Sequence, residues 1–299
     1  MLRTRAKRLA RAALGAPGVR HGLRWFLHQQ RVPEAWRGYA HRKLAKRAQF
    51  GDRQFTYTTE RGVALKLQHT GTSNYLYWLG EYEPETTTRF CRLAEQAQVI
   101  LDIGAADGLY AILAAAANPR ARILAFEPGE AAAQTARRNV ELNGDVTANV
   151  EVHAIALGEH DDTTILYVAG ESGGTSSLNP TFRGNRTEQR VIVRNGDAFL
   201  AEHGIARVEL IKIDTETTEP AVLRGLIATL RRDKPDIVCE VLHGRSEREL
   251  EDILAPLGYR FYWMTARGLV EHEHIAGDPT YAEPNYLFSA RELAGSQLE

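Results

Sequence analysis

From Val99 onward, short apolar runs alternate with segments of helical period. The runs predict strands at Val99–Ile103, Arg122–Phe126, Val150–Ala156, Val208–Ile213, Asp236–Val241, Tyr259–Met264 and Asn285–Ser289. Helices are predicted between them at Leu109–Ala117, Glu130–Asn143, Pro220–Arg232 and Ser246–Leu257. In the second of these, Ala132, Ala136 and Val140 recur at i, i+4, i+8 and give the helix one face for a sheet. Ser246 followed by Glu249 reads as a capping box, and Gly258 as the stop of the same helix. Such alternation implies parallel strands joined by helical crossovers. No helix separates the final two strands, so they are expected to pair antiparallel at the sheet edge. The expected fold is therefore α/β, a doubly wound, Rossmann-like sheet that is mostly parallel with an antiparallel edge strand.

Ahead of this body, residues 53–80 alternate polar and apolar positions, as in Phe55-Thr56-Tyr57-Thr58, which predicts a small hairpin. A helix is expected near Glu85–Glu95. Two strand-like runs, Thr163–Val168 and Gln189–Val193, flank a Gly/Ser-rich stretch from Gly170 to Gly184. They read as a lid-like insertion at about 158–206. The domain expectation is a basic helical arm at 1–49, a small β/helix extension at 50–98, and the main domain at 99–292.

The charge is unevenly distributed. The net charge of −1 conceals 13 Lys and Arg against one acid, Glu34, in residues 1–49. Two readings of this arm stand: a solvated helix that packs on the acidic body, or a peripheral contact with anionic lipid helped by Trp25, Phe26, Leu27 and Trp36. Gly15, Pro17 and Gly18 interrupt any apolar core of a secretory signal, and the arm contains no serine, unlike a mitochondrial leader. No run approaches the roughly 20 apolar residues that cross a bilayer. Two cysteines, Cys91 and Cys239, make no disulfide framework, and Cys239 lies in an apolar run as a reduced core thiol. A cytoplasmic protein, at most peripheral at the inner membrane surface, is expected.

The chemistry concentrates at strand ends. Asp102-Ile103-Gly104-Ala105-Ala106-Asp107-Gly108 follows a strand and opens a helix, so its glycines let a ligand approach the backbone. Glu127, before Pro128 and 23 residues after Gly104, ends the next strand, where a carboxylate can accept both hydroxyls of an adenosine ribose. An NAD pyrophosphate would meet Asp107 inside this turn and be repelled, whereas an ammonium or sulfonium would be attracted. Ala156 and Leu157, after the third strand, are expected to flank the adenine.

Asp214, Glu216 and Glu219 end and follow a further strand that carries Lys212. Three such carboxylates could hold Mg²⁺, a cofactor ammonium, or the proton of an acceptor hydroxyl. Alternatively, Glu219 serves the helix dipole and Asp214 pairs with Lys212. No metal is assigned. His243, beyond the strand ending Glu240-Val241, is the candidate base. His153 is read as structural, His272 and His274 as solvated.

Leu101–Gly108, Ala125–Pro128, Arg137–Asn143, Ser176–Leu178, Leu210–Glu216, Val222–Leu226 and Pro235–Val241 together resemble the FkbM family of methyltransferases in order and spacing. The resemblance implies a class I methyltransferase fold, S-adenosylmethionine as cofactor, and O-methylation of a sugar, glycan or natural-product hydroxyl. Taken with the placements above, Asp102, Gly104, Ala105, Asp107, Gly108, Glu127, Pro128, Ala156, Leu157 and Asp214 are expected to bind the cofactor, and His243, Glu216 and Asp214 to serve catalysis. Two departures stand out: Ala106 where the family commonly has Asn, and Thr217 where it has Gly. The competing functions are an NAD(P)-dependent oxidoreductase and a nucleic-acid methyltransferase that uses the basic arm. Against the second, the body is acidic and has no basic stripe interleaved with aromatics, so a nucleic-acid partner is not expected.

Overall fold

Four buried positions in each of Val99–Ile103 and Arg122–Phe126 mark these as central parallel strands, covered on both faces. They belong to a computed structural model that describes residues 17–29, 32–33, 36, 53–70, 72–169, 176–181, 186–293, 295 and 298. The chain divides into two compact units, Met1–Tyr82 and Glu83–Glu299.

In the first unit, helix α1 (Pro17–His28) is followed by an antiparallel hairpin, β1 (Gln54–Thr58) with β2 (Ala64–Gln68), and by helix α2 (Ser73–Leu79). Leu27 of α1 packs with Tyr77 and Trp78 of α2, and Leu23, Phe26 and Phe55 close around them. Trp25 and Trp36 point outward, 64% and 66% exposed. Most of the basic arm expected at 1–49 lies outside the described residues.

The second unit begins with α3 (Pro84–Ala94), β3 (Val99–Ile103), α4 (Leu109–Ala117), β4 (Arg122–Phe126), α5 (Glu130–Asn143) and β5 (Val150–His153). Next come β6 (Ala156–Gly158), β7 (Asp162–Ala169), β8 (Arg186–Asn195), α6 (Gly196–Glu202) and β9 (Leu210–Ile213). The chain closes with α7 (Glu219–Gly225), α8 (Ile227–Asp233), β10 (Asp236–Glu240), α9 (Glu247–Leu254), β11 (Arg260–Thr265), β12 (Gly268–His272) and β13 (Asn285–Ser289).

Eight of these strands form one sheet in the order β12-β11-β13-β10-β9-β3-β4-β5. The strands β5, β4, β3, β9 and β10 are parallel neighbours, and β13 enters antiparallel between β10 and β11. The order reverses between β3 and β9, and a crevice opens outside the carboxyl ends at such a switch point. Leu101, Leu124, Ile211, Ile237 and Phe288, all fully buried or nearly so, form the core beneath it.

Several local expectations change. The strand expected over Val150–Ala156 breaks after His153, because exposed Ala154 turns the chain out of the edge and Ala156 starts β6 in a separate sheet. That second sheet, β6-β8-β7, is the insertion: β7 pairs with β8 over the whole of its own length, from Asp162↔Val193 to Ala169↔Arg186. Within the Gly170–Gly184 stretch, only residues 176–181 are described. The helix expected at Pro220–Arg232 is two helices, broken at Leu226 (φ −109°, ψ 16°). The break lets Gly225 press on β6: a Cβ there would lie 1.9 Å from the Gly158 carbonyl oxygen. The capping box at Ser246 does not form. Its hydroxyl is buried without a partner, and Glu247 instead accepts the amides of Gly244 (2.5 Å) and Arg245 (2.8 Å). The final two strands do pair antiparallel, but β12 occupies the edge. Among the described residues, no helix is long and apolar enough to cross a membrane.

Candidate active site

The turn between β3 and α4 is held first by backbone. The amides of Gly104 and Ala105 both donate to the Phe126 carbonyl, at 2.9 and 3.0 Å, and that of Gly108 donates to Ala105. Gly104 has φ +84°, and a Cβ there would fall 1.9 Å from the Asp214 carbonyl oxygen, so only glycine lets β3 and β9 approach this closely. Ala106 is left-handed as well (φ +49°), and its amide donates to Glu127 Oε2 at 2.9 Å. The amides of residues 104, 105, 106 and 108 are therefore engaged within the protein. A pyrophosphate would meet the carboxylates that edge this turn.

Glu127 is 6% exposed, and both of its oxygens take backbone amides, Oε2 from Ala106 and Oε1 from Gly129 at 2.7 Å. Each oxygen keeps a further lone pair, which matches two adjacent ribose hydroxyls. Burial pushes the carboxyl up to about 7 against these amides. Asp102, 1% exposed, accepts the Ala111 amide at 2.9 Å and so ties β3 to α4. Burial raises it too, to about 7, opposed by the Lys212 ammonium. Asp107 is 4% exposed, and its carbonyl oxygen takes Asn139 Nδ2 from α5.

Pro128 is touched by the insertion, since Gln189 of β8 donates to its carbonyl and accepts the Glu130 amide. Ala156 and Leu157 are presented by the second sheet: Ala156 is paired with Val193, and Leu157 is packed into the main core with Phe126 and Phe199.

The acidic turn after β9 contains the least expected geometry. Glu216 (φ +55°) and Thr217 (φ +87°) are both left-handed, although neither is glycine and Thr217 is β-branched. Three groups hold them there. Glu219 Oε1 accepts from the Thr215 amide, the Thr215 hydroxyl and the Thr217 amide, at 3.0 to 3.2 Å. The Ser177 hydroxyl donates to the Glu216 carbonyl at 2.6 Å, and Asn179 Nδ2 to Thr217 Oγ1 at 2.9 Å. Glu219 thus braces the turn from within, and the insertion straps it from above. In an Asn179→Ala background, where the bond to Thr217 Oγ1 is already lost, replacing Thr217 by Gly should raise stability by about 1 kcal/mol, because relief of the left-handed strain exceeds the added unfolded-state entropy. A urea midpoint that falls in this variant would show that the turn is unstrained.

Lys212 is fully buried, with its ammonium 3.4 Å from Asp214 and 5.1 Å from the centre of the Tyr110 ring. Burial pulls its pKa down, but Asp214, Glu83 and Glu240 outweigh this and keep it charged. Asp214 therefore takes the ion pair read as its alternative, while its backbone still meets Gly104.

At the end of β10, sequence reasoning passed over Glu240 and Asn285. They are register partners across β10 and β13. Their signal was a charged residue closing an apolar run at the carboxyl edge. His243, exposed, places Nδ1 2.9 Å from the Gly277 carbonyl. A carbonyl only accepts, so Nδ1 carries the proton, and Nε2 of the neutral ring retains its lone pair.

The sequence pattern of the family described as "Methyltransferase FkbM domain" matches residues 102–261, more than half of the chain. "Methyltransferase 1" of Beauveria bassiana is 31% identical over 145 residues, 42% of this chain and 57% of that protein. The AMB antimetabolite synthetase AmbE of Pseudomonas aeruginosa is 30% identical over 179 residues, 48% of this chain and 8% of that protein. The chain thus spans little more than half of the first of these relatives and a small part of the second. Among solved structures, a methyltransferase FkbM from Methylobacillus flagellatus KT aligns with a TM-score of 0.46 at 15% identity, over 73% of this chain and 52% of that one.

Proposed function

Because the chain belongs to the FkbM family of S-adenosylmethionine-dependent methyltransferases, we propose that it transfers the cofactor's methyl group to a hydroxyl of a small molecule or glycan. The observation that carries this reading is the carboxylate-edged crevice, with Asp102, Asp107 and Glu127 all buried beside the turn: it suits a cationic sulfur nucleoside and repels a diphosphate. The similarity to part of an antimetabolite synthetase supports a small-molecule acceptor.

When bound, the cofactor supplies an electrophilic methyl on a sulfonium. The chain's residues do the rest. Glu127 receives the ribose hydroxyls, and Asp107 and Asp102 set a negative potential beside the methionine ammonium. Asp214 and Glu216, on the braced turn, border the acceptor side. In-line placement of the acceptor oxygen provides most of the acceleration, and His243 Nε2 takes the hydroxyl proton.

Isothermal titration with S-adenosylmethionine and with NAD tests the cofactor reading. Heat with NAD alone would overturn it. Incubation with methyl-labelled cofactor and host-cell extract, followed by isolation of the labelled product, identifies the acceptor. His243→Ala should lower turnover about 10²- to 10⁴-fold, the range for losing a general base, with cofactor affinity unchanged. Turnover equal to wild type removes His243 from the mechanism.

A further inference from the structure

Two buried oxygens at the carboxyl edge of β10 and β13 have no donor among the described residues: Glu240 Oε2 and Asn285 Oδ1. Asn285 is 2% exposed, so water does not reach it as it would a surface amide. Its orientation is fixed from the other end, where Nδ2 donates to Glu83 Oε2 at 3.1 Å. The same Glu83 oxygen accepts the Tyr110 hydroxyl at 2.8 Å, and the Tyr110 ring lies beneath the Lys212 ammonium. A flip of the amide would set its oxygen against the Glu83 carboxylate, so Oδ1 is the orphan. Glu240 and Asn285 stand directly opposite in an antiparallel pair, which places their Cβ atoms about 5 Å apart on one face.

An unsatisfied buried acceptor is costly, and proteins rarely keep one without a partner in the working state. Here two sit on register partners, near Asp214 and Glu216 and two strands from the turn after β3. Burial, reinforced by Asp214 and Glu216, pushes the Glu240 carboxyl up to about 10, against the pull of the nearby Lys212 ammonium. A hydroxyl complements such a group, whereas a carboxylate or phosphate meets Asp214, Glu216 and Glu83 and is repelled.

We propose that Glu240 and Asn285 form the acceptor-recognition subsite, gripping two neighbouring hydroxyls of a methyl acceptor that carries no anionic group at that end. The inference rests on the methyltransferase reading and assigns specificity within it. Both residues are specificity-determining, and neither is required for the cofactor.

The test uses the full chain saturated with S-adenosylhomocysteine and three probes of one shape: cis-cyclohexane-1,2-diol, cyclohexanol and cis-2-hydroxycyclohexanecarboxylate. Saturation-transfer NMR should give the diol at least a fivefold stronger signal than cyclohexanol, and the hydroxy acid none. In Glu240→Leu and Asn285→Leu the diol signal should fall to that of cyclohexanol, with S-adenosylhomocysteine affinity unchanged. Glu240→Leu should also raise Tm by a few degrees, since it removes a buried polar group without a partner. A purely structural Glu240 would instead lower Tm and leave the probes alone. Equal signals from the three probes, a silent diol, or a diol signal that survives both substitutions overturns the subsite. Absence of S-adenosylhomocysteine binding overturns the methyltransferase reading itself, and is seen before any probe is added.

Discussion

Glu127→Ala lowers affinity for S-adenosylmethionine by about 1–3 kcal/mol, roughly 5- to 150-fold, the scale of hydrogen bonds to a charged group. Both carboxylate oxygens already hold amides, from Ala106 and Gly129, so the substitution also strips two partly buried N–H groups of their acceptor. Stability should therefore fall together with affinity, as an unfilled donor costs its desolvation. Glu127→Gln separates the two effects. Its amide keeps one acceptor and turns an NH₂ toward the other backbone N–H, so affinity falls while much of the fold's stability survives. Titration calorimetry reads the first quantity and urea unfolding the second. Wild-type affinity in the alanine variant would place the ribose elsewhere.

Cofactor binding and stability respond to pH in opposite directions. Burial raises Glu127 and Asp102 to about 7 in the folded chain, from ordinary values of 4.5 and 3.8. Between about pH 4 and 7 the folded state thus holds more protons than the unfolded state. Unfolding free energy falls as pH rises through this window, by on the order of 3 kcal/mol per carboxyl, and levels off above it. A cation and two ribose hydroxyls favour the ionised carboxyls, so affinity for S-adenosylmethionine should climb from pH 6 to 8, with protons released on binding. Calorimetry in buffers of different ionisation enthalpy measures that release. Proton uptake, or affinity that declines over this range, contradicts the assignment of these two acids to the cofactor site.

The strands that are buried on both faces were legible residue by residue. Val99–Ile103, Arg122–Phe126 and Asn285–Ser289 stand where the apolar runs placed them, because a two-sided core demands continuous hydrophobicity. Helix Glu130–Asn143 followed from its period, and Leu109–Ala117 from an apolar run set between two strands. The misreadings come from tertiary contacts that leave no local trace. Nothing local to Gly225 marks the helix break, which answers to the backbone of Gly158 packed against it. Ser246 had the spacing of a cap, but Glu247 reached the free amides first.

At the site, turn glycines and strand-end acids were visible as chemistry in a pattern. Their partners were less so. The Thr217 departure suggested an altered turn, yet the turn keeps its left-handed course, because Ser177 and Asn179 come from an insertion about forty residues upstream. Asn285 lies 45 residues beyond Glu240, and only the return of β13 between β10 and β11 makes them neighbours.

The contact of Gly104 with the Asp214 carbonyl leaves no slack between the loop that seats the donor and the loop that faces the recipient. Any adjustment of one as it takes its guest is felt by the other, and the influence runs equally both ways. Under the proposed reading, donor and acceptor affinities would then be linked by one factor, the same in either order of binding.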